Sequence, residues 1–221
     1  LAAMWPLTSY SILAWLFSGK YGKMFVSDHV HLSTAATNEI YVSKFYLKLF
    51  IKLTYPFATG IIAVSNGVKE DLMKIGKFNK NKITVIYNPI VSGKKNISFN
   101  YSTHKLWGGD FKFKILCVGS LKKQKDHKTL VKAISFLPKE IDLKLIILGE
   151  GENRIELLKL INTLDLASKI ELPGFKINPE PWYNSADLFV LSSLWEGFGN
   201  VLVEAMNYGV QIMSTNCNRG P

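Results

Sequence analysis

Arginine is almost missing from this chain: among 27 cationic residues only Arg154 and Arg219 are arginine, and the rest are lysine. Base edges and phosphates are read bidentately by the guanidinium fork, so a sequence-specific nucleic-acid reader is the least favoured class; non-specific electrostatic attraction stays open. Cysteine is scarce too. Cys117 and Cys217 lie far apart, and neither has CxxC or His/Cys spacing. That speaks against a disulfide framework or a zinc site and favours a reducing compartment. Cys117 falls inside the apolar run FKILCVGS and reads as a small core residue. No DxD triplet occurs. No apolar run is long enough for a membrane span. The opening LAAMWPLTSYSILAWLF is interrupted by Pro6, Thr8, Ser9 and Ser11 and has no basic region before it, so it does not read as a targeting segment either. It reads as an element entered midway, and the chain as truncated at its front.

Acidic residues are scarce in one half only. Residues 1–105 hold 13 Lys/Arg against 4 Asp/Glu, whereas residues 106–221 hold 14 against 13. The basic half suggests an anionic partner, such as a membrane surface, a nucleic acid or a phosphorylated substrate, or simply a soluble basic domain. With 48% hydrophobic residues over 221 positions, the chain can bury one large core or two modest ones, and disorder is not expected.

The apolar pattern gives the order of elements. MFVSDH (24–29) reads as a short strand. The stretch 39–57 reads as a helix, with Lys44, Lys48 and Lys52 four residues apart along one face. GIIAVS (60–65) is a strand, 68–75 an amphipathic helix stopped by Gly76, and KITVIYNP (82–89) a strand. Residues 91–111 have no periodicity and read as a linker. Strands at 113–120, 143–151, 169–175, 187–193 and 210–215 then alternate with helices at 129–137, 155–164 and 200–208, with a short turn or helix at 181–185. Continuous apolar strands alternating with helices predict a doubly wound parallel α/β domain, with its site at the carboxyl ends of the strands. The pattern stops on a strand-loop edge, so the chain reads as cut at its back as well.

The segment WEGFGNVLVEA (195–205) leaves one such strand and enters a helix. Gly197 and Gly199 allow a tight turn and close approach to a ligand. The free N–H groups near Asn200, Val201 and Leu202 form an anion site suited to a diphosphate. Glu196 stands before the turn and Glu204 about one turn into the helix. Carboxylates accept well from vicinal hydroxyls, so the spacing fits a nucleotide sugar: sugar at Glu196, diphosphate at the loop, ribose at Glu204. The plainer alternative is one loop charge and one helix-surface charge.

EGFGNVLVEAM resembles the E-x7-E motif of the retaining glycosyltransferases of family four, which have the GT-B fold. IIAVSNGVKEDL, VIYNPI, VGSLKKQKDHKTLVKA, LGEGENRIELL, IELPGF and ADLFVLSSLWEGFGN follow in that family's order, from about 55 to 217. SSLWEGFGNVLVEAM followed by STNCNRGP looks most like transferases of N-acetylhexosamine or related sugars to lipid-linked or surface glycans. The resemblance implies two Rossmann-like doubly wound domains, both incomplete here: 1–90 the C-terminal part of an acceptor-binding domain, 91–111 the interdomain linker, and 112–221 the nucleotide-sugar domain, truncated at its end. It implies that Glu196 contacts the donor sugar. Phe198, Gly199, Asn200 and Val201 would offer backbone amides to sugar and diphosphate, and Glu204 would bind ribose. Lys125 would offset charge on the leaving diphosphate. The family's Arg five residues earlier is Ser120 here, so Lys122 or Lys123 would have to substitute. Gly174 and Phe175 would pack on the base. Gly149 to Gly151 would turn near the nucleotide, or be an ordinary strand-to-helix turn. His29, with His31 as the alternative, would face the sugar from the other domain.

The resemblance further implies a metal-independent reaction with a UDP-sugar donor and retention at the anomeric carbon. The acceptor would be a hydroxyl of a lipid-linked or surface glycan, and the location cytoplasmic or peripheral at the inner membrane face. No specific nucleic-acid partner is expected. The lysine stripe, beside Phe45, Tyr46, Phe50 and Tyr55, would suit an anionic membrane or a solvated helix face. Alternatives are a nucleotide-sugar epimerase of the same architecture and a non-enzymatic basic membrane-binding module. The 221 residues alone are expected to be inactive.

Overall fold

A computed structural model describes residues 1–38, 43–90 and 103–217. The chain divides into two compact units. The first comprises Leu1–Asn88 with Trp195–Phe198 and Cys217; the second comprises Pro89–Leu194 and Gly199–Asn216.

The first unit holds a four-stranded parallel sheet in the order β1-β2-β3-β4, formed by Ala2–Ala3, Phe25–Asp28, Gly60–Ala63 and Ile83–Val85. Among the described residues, helices α1 (Leu7–Phe17), α2 (Leu32–Asn38), α3 (Lys44–Thr54) and α4 (Asn66–Gly76) accompany it. Helix α4 shows why its sequence is helical. Ser65 caps it by accepting from the Val68 amide at 3.2 Å, and Val68, Leu72 and Ile75 turn inward at helical spacing. It ends one residue later than the glycine suggests: Gly76 is still helical, and Lys77 takes the left-handed conformation at φ +55°. Helix α3 is capped by Ser43 and buries Leu47, Ile51 and Thr54. The helix expected from residue 39 therefore starts later; residues 39–42 lie outside the described region.

Asp71 and Asp28 are buried carboxylates of this unit. Asp71 accepts from the Ser33 amide at 3.0 Å and from the Ser33 hydroxyl. Asp28 is fully buried and accepts from the Tyr55 hydroxyl at 2.7 Å; Tyr55 in turn pairs with Thr8 at 2.8 Å. Burial pushes Asp28 up to about 6, against the lowering effect of the Tyr55 hydrogen bond.

The second unit holds five parallel strands in the order β7-β6-β5-β8-β9, formed by β5 (Phe113–Val118), β6 (Leu143–Leu148), β7 (Ile170–Gly174), β8 (Leu188–Leu191) and β9 (Gln211–Ser214). Its helices are α5 (Thr103–Trp107), α6 (His127–Ser135), α7 (Arg154–Thr163), α8 (Glu180–Ser185) and α9 (Asn200–Asn207). The chain runs outward from β5 to β7, then returns to the other side of β5 for β8 and β9. The carboxyl ends of β5 and β8 therefore flank a topological switch point, where open α/β sheets hold their ligands. Every residue of β6 is buried, as expected of a central strand covered on both faces. Lys144 on this strand is accommodated by Glu171 at 3.3 Å and the Ser168 carbonyl at 3.2 Å.

The linker read over 91–111 falls mostly outside the described residues. Its last part forms α5, whose Trp107 is fully buried and donates to Ser185 Oγ at 2.9 Å. A single large apolar residue in polar surroundings has no periodicity, which is why the pattern hid this anchor.

Candidate functional site

In the second unit the loop after β5 carries Lys125 in a short helical turn, Lys123–Lys125. Asp126 follows in the left-handed conformation and caps α6, accepting from the Thr129 hydroxyl at 2.6 Å. The carbonyl of Lys125 is held by Ser192 Oγ at 2.7 Å, and its side chain runs along Gly119. The loop after β6 closes against the same segment. An ideal Cβ on Gly149 would stand 2.0 Å from the Gly119 carbonyl oxygen, and one on Gly151 2.6 Å from that of Leu121. The glycines expected to turn near the nucleotide thus let the two loops touch backbone to backbone.

At the carboxyl ends of these strands lies a cavity of about 510 Å³, lined among others by Val118, Leu148, Phe175, Tyr183, Val201 and Glu204. Phe175 is 70% exposed at its edge. Gly174 has φ +87°, and a side chain there would meet Glu150 at 2.7 Å. Gly199, left-handed at φ +71°, precedes the first turn of α9, where Asn200 is exposed and Val201 and Glu204 face the cavity. Glu204 Oε2 accepts from the Tyr183 hydroxyl at 3.0 Å. The structure therefore brings Phe175, Val201 and Glu204 to one cavity. Lys125 lies in a neighbouring loop of the same unit. Lys123, weighed as a substitute for the family's arginine, lines a separate cleft of about 320 Å³ with Asp126, His127 and Lys128.

Glu196, Phe198 and His29 belong to the first unit. Glu196 is buried. Gly197 sits so close to the His29 carbonyl that a Cβ would be 2.0 Å from its oxygen. Phe198 packs on the first unit's core and against the Tyr87 ring, 5.5 Å between centroids. His29 follows β2 directly, half-buried, with Nε2 3.1 Å from Ser27 Oγ. Asp28 turns inward to Tyr55 and does not orient His29, as strand alternation requires of neighbours. His31 is buried. Among the described residues no group of three or more His, Cys, Asp or Glu could hold a metal ion, and no helix is long and apolar enough to cross a membrane.

Among the cavity residues that escaped the sequence are Glu180, Tyr183 and Tyr208. They come from the short helix α8 and the end of α9. Only the fold brings them beside Glu204, and no spacing rule could have found them.

Two parallel α/β units, one with a polar-edged cavity at its strand ends, have the GT-B fold of the glycosyltransferases that match them in structure. The model of the family described as "Glycosyl transferases group 1" matches residues 109–221. The chain belongs to that family. Among curated relatives it is 36% identical over 173 residues to the N-acetylgalactosamine-N,N'-diacetylbacillosaminyl-diphospho-undecaprenol 4-alpha-N-acetylgalactosaminyltransferase of Campylobacter jejuni, covering 78% of this chain and 46% of that protein. It is 30% identical over 180 residues to the capsular polysaccharide biosynthesis glycosyltransferase CapM of Staphylococcus aureus, covering 78% and 47%. The chain thus spans about half the length of these relatives. Among solved structures, Anabaena Alr3699/HepE in complex with UDP matches with a TM-score of 0.78 at 21% identity, over 96% of this chain and 58% of that one. At that identity the likeness concerns the fold.

Proposed function

We propose that this chain carries the nucleotide-sugar site of a retaining family-four glycosyltransferase that moves a sugar, of the hexose or N-acetylhexosamine type, from a UDP-sugar to a hydroxyl of a lipid-linked or surface glycan. The observation that carries the reading is Glu204, aimed into a strand-end cavity beside the amino terminus of α9. In this reading Glu204 accepts from the ribose hydroxyls, and Phe175 and Gly174 border the base. The first amides of α9 face the diphosphate after Gly199 and Asn200, where free N–H groups and the helix dipole favour an anion. Lys125 offsets the negative charge that grows on the diphosphate as the glycosidic bond breaks. Glu196 accepts from the donor-sugar hydroxyls, Phe198 and Val201 contribute backbone, and His29 serves the sugar end. The reaction runs without a metal. Names of relatives that act on a diphospho-undecaprenol-linked glycan and on capsular polysaccharide support the acceptor class. The 221 residues by themselves release no UDP from donor.

Calorimetric titration of UDP into the chain and into Glu204→Ala tests the central part. Loss of a hydrogen bond to a charged group costs about 1.5–3 kcal/mol, so the variant should bind roughly 10- to 150-fold more weakly. A folded chain that binds no UDP, or a variant that binds it equally well, refutes the ribose role.

The proposal places the protein at the cytoplasmic membrane face through α3. Phe45, Tyr46 and Leu53 on this helix are 69%, 63% and 60% exposed, beside exposed Lys44 and Lys48. Each lysine near an anionic surface contributes about 1 kcal/mol. Lys44→Glu with Lys48→Glu should lower partition onto phosphatidylglycerol vesicles by on the order of tenfold or more. Co-sedimentation equal to that of the unaltered chain refutes the contact.

A further inference from the structure

The wall of the cavity behind Glu204 is an aromatic stack. Tyr183 of α8 is 1% exposed. Its ring stacks with two others, 5.7 Å from Phe189 at 30° and 5.4 Å from Tyr208 at 4°. Its hydroxyl emerges from the stack and donates to Glu204 Oε2 at 3.0 Å. Burial, then the neighbouring Glu204 charge, push this phenol well above its ordinary range, so it remains a donor at any working pH. Tyr208 repeats the arrangement with a second carboxylate of the same cavity, Glu180: burial and a hydrogen bond to Glu180 push its phenol up to about 12.

A glutamate on a half-exposed helix face samples several rotamers. A ligand that needs one of them must overcome that freedom each time it binds. Here one carboxylate oxygen is tied to a ring that cannot move without breaking two stacks. We infer that Tyr183 is the positioning residue of the site: it fixes Glu204 from behind through Oε2, so that Oε1 and the remaining lone pair of Oε2 meet the vicinal ribose hydroxyls of the nucleotide. The inference rests on the nucleotide-sugar reading above and adds to it the residue that sets selectivity for a ribose over a deoxyribose.

The test is a double-mutant cycle on the 221-residue chain, read with UDP and with 2′,3′-dideoxy-UDP. Tyr183→Phe keeps the ring and its stacks and removes only the hydroxyl. It should weaken UDP about 3- to 10-fold, less than the loss of a direct bond to the ligand because only the positioning of Glu204 is lost, and leave dideoxy-UDP within about twofold of its original affinity. In the Glu204→Ala background the same change should have no effect on UDP beyond about twofold. Equal losses for the two nucleotides, or losses that simply add in the double variant, overturn the inference and leave the nucleotide site standing. Absence of UDP binding by the unaltered chain removes the nucleotide reading and this inference with it. Should Tyr183→Phe fail to fold, Glu204→Gln leaves Tyr183 in place. Its amide oxygen takes the tyrosine hydroxyl and its NH₂ replaces the acceptor aimed at the ribose, so UDP should fall towards dideoxy-UDP. A Gln variant with the full preference for UDP overturns the inference.

Discussion

Gly149→Ala is expected to destabilise the second unit by more than about 3 kcal/mol and to lower its melting temperature by roughly 10 °C or more. The cause is the space a methyl group would need. Gly149 has φ +149°, and its added Cβ would stand 2.0 Å from the Gly119 carbonyl oxygen and 2.8 Å from the carbon. Both partners are backbone and both are tied down. The Gly119 amide donates to the Leu148 carbonyl at 2.9 Å, and the Gly149 amide to Gly174 at 3.1 Å. A little further on, the Leu121 amide donates to Glu150 at 2.8 Å and the Asn153 amide to Leu121 at 3.0 Å. Relief of the clash must therefore part the loop after β5 from the loop after β6, and it is the first of these that carries Lys125. Gly209→Ala is the control. Gly209 is also left-handed, at φ +72°, but a Cβ there meets nothing within 4 Å. It should cost only the backbone preference, roughly 1–2 kcal/mol. Thermal melts of both variants decide the matter. A Gly149→Ala chain that melts no lower than Gly209→Ala contradicts the packing of the two loops.

The same pair of loops shows how far the sequence could be read. Strands such as LKLIILGEG are legible because a continuous apolar run followed by glycines has few other meanings, and the alternation with helices predicts parallel order. The cap and inward face of α4 are legible for the same reason, from Ser65 and the spacing of Val68, Leu72 and Ile75. What glycine does is less legible. Gly149, Gly151 and Gly197 each stand against a carbonyl from a distant part of the chain, and nothing local distinguishes them from Gly209, which touches nothing. The candidate site divides in the same way. Glu204 is visible from its place after a glycine turn. Tyr183, which holds it, lies 21 residues away on a different element, and an aromatic in PEPWYNS carries no sign of its partner. Trp107 is the opposite case of Gly209: its surroundings STHKLWGGD look like solvent, yet it is fully buried.

Acidification should act on the two units in opposite directions. His127, at the start of α6, is 2% exposed, and neither ring nitrogen has a hydrogen-bond partner among the described residues. Burial, aided by the nearby Lys125 charge and opposed by Asp126, pushes it down to about 4 from 6.5. The unfolded chain then binds the proton more tightly than the folded one. Stability from the neutral imidazole is complete above about pH 6.5 and is lost as pH falls towards 4. The loss amounts to about 2.5 kcal/mol by about pH 4.5. Asp28 in the first unit runs the other way. Its carboxyl is raised from 3.8 to about 6, so the folded state holds the proton more tightly; the stability this gives is complete below about 3.8 and lost as pH rises through 6. Between about pH 7 and 4.5 the gain is roughly 2 kcal/mol. Because the two effects oppose each other, each variant must be compared with the unaltered chain at every pH. His127→Leu, which fills the buried space without a titrating group, should make the chain more resistant to acid than the original. Asp28→Asn should make it less resistant. Each difference should vanish near neutral pH once the fixed cost of the substitution is subtracted. Parallel melting curves for His127→Leu and the unaltered chain across about pH 7 to 4.5 would show that His127 protonates as easily in the fold as in the open chain, and that its two buried nitrogens find partners when it does.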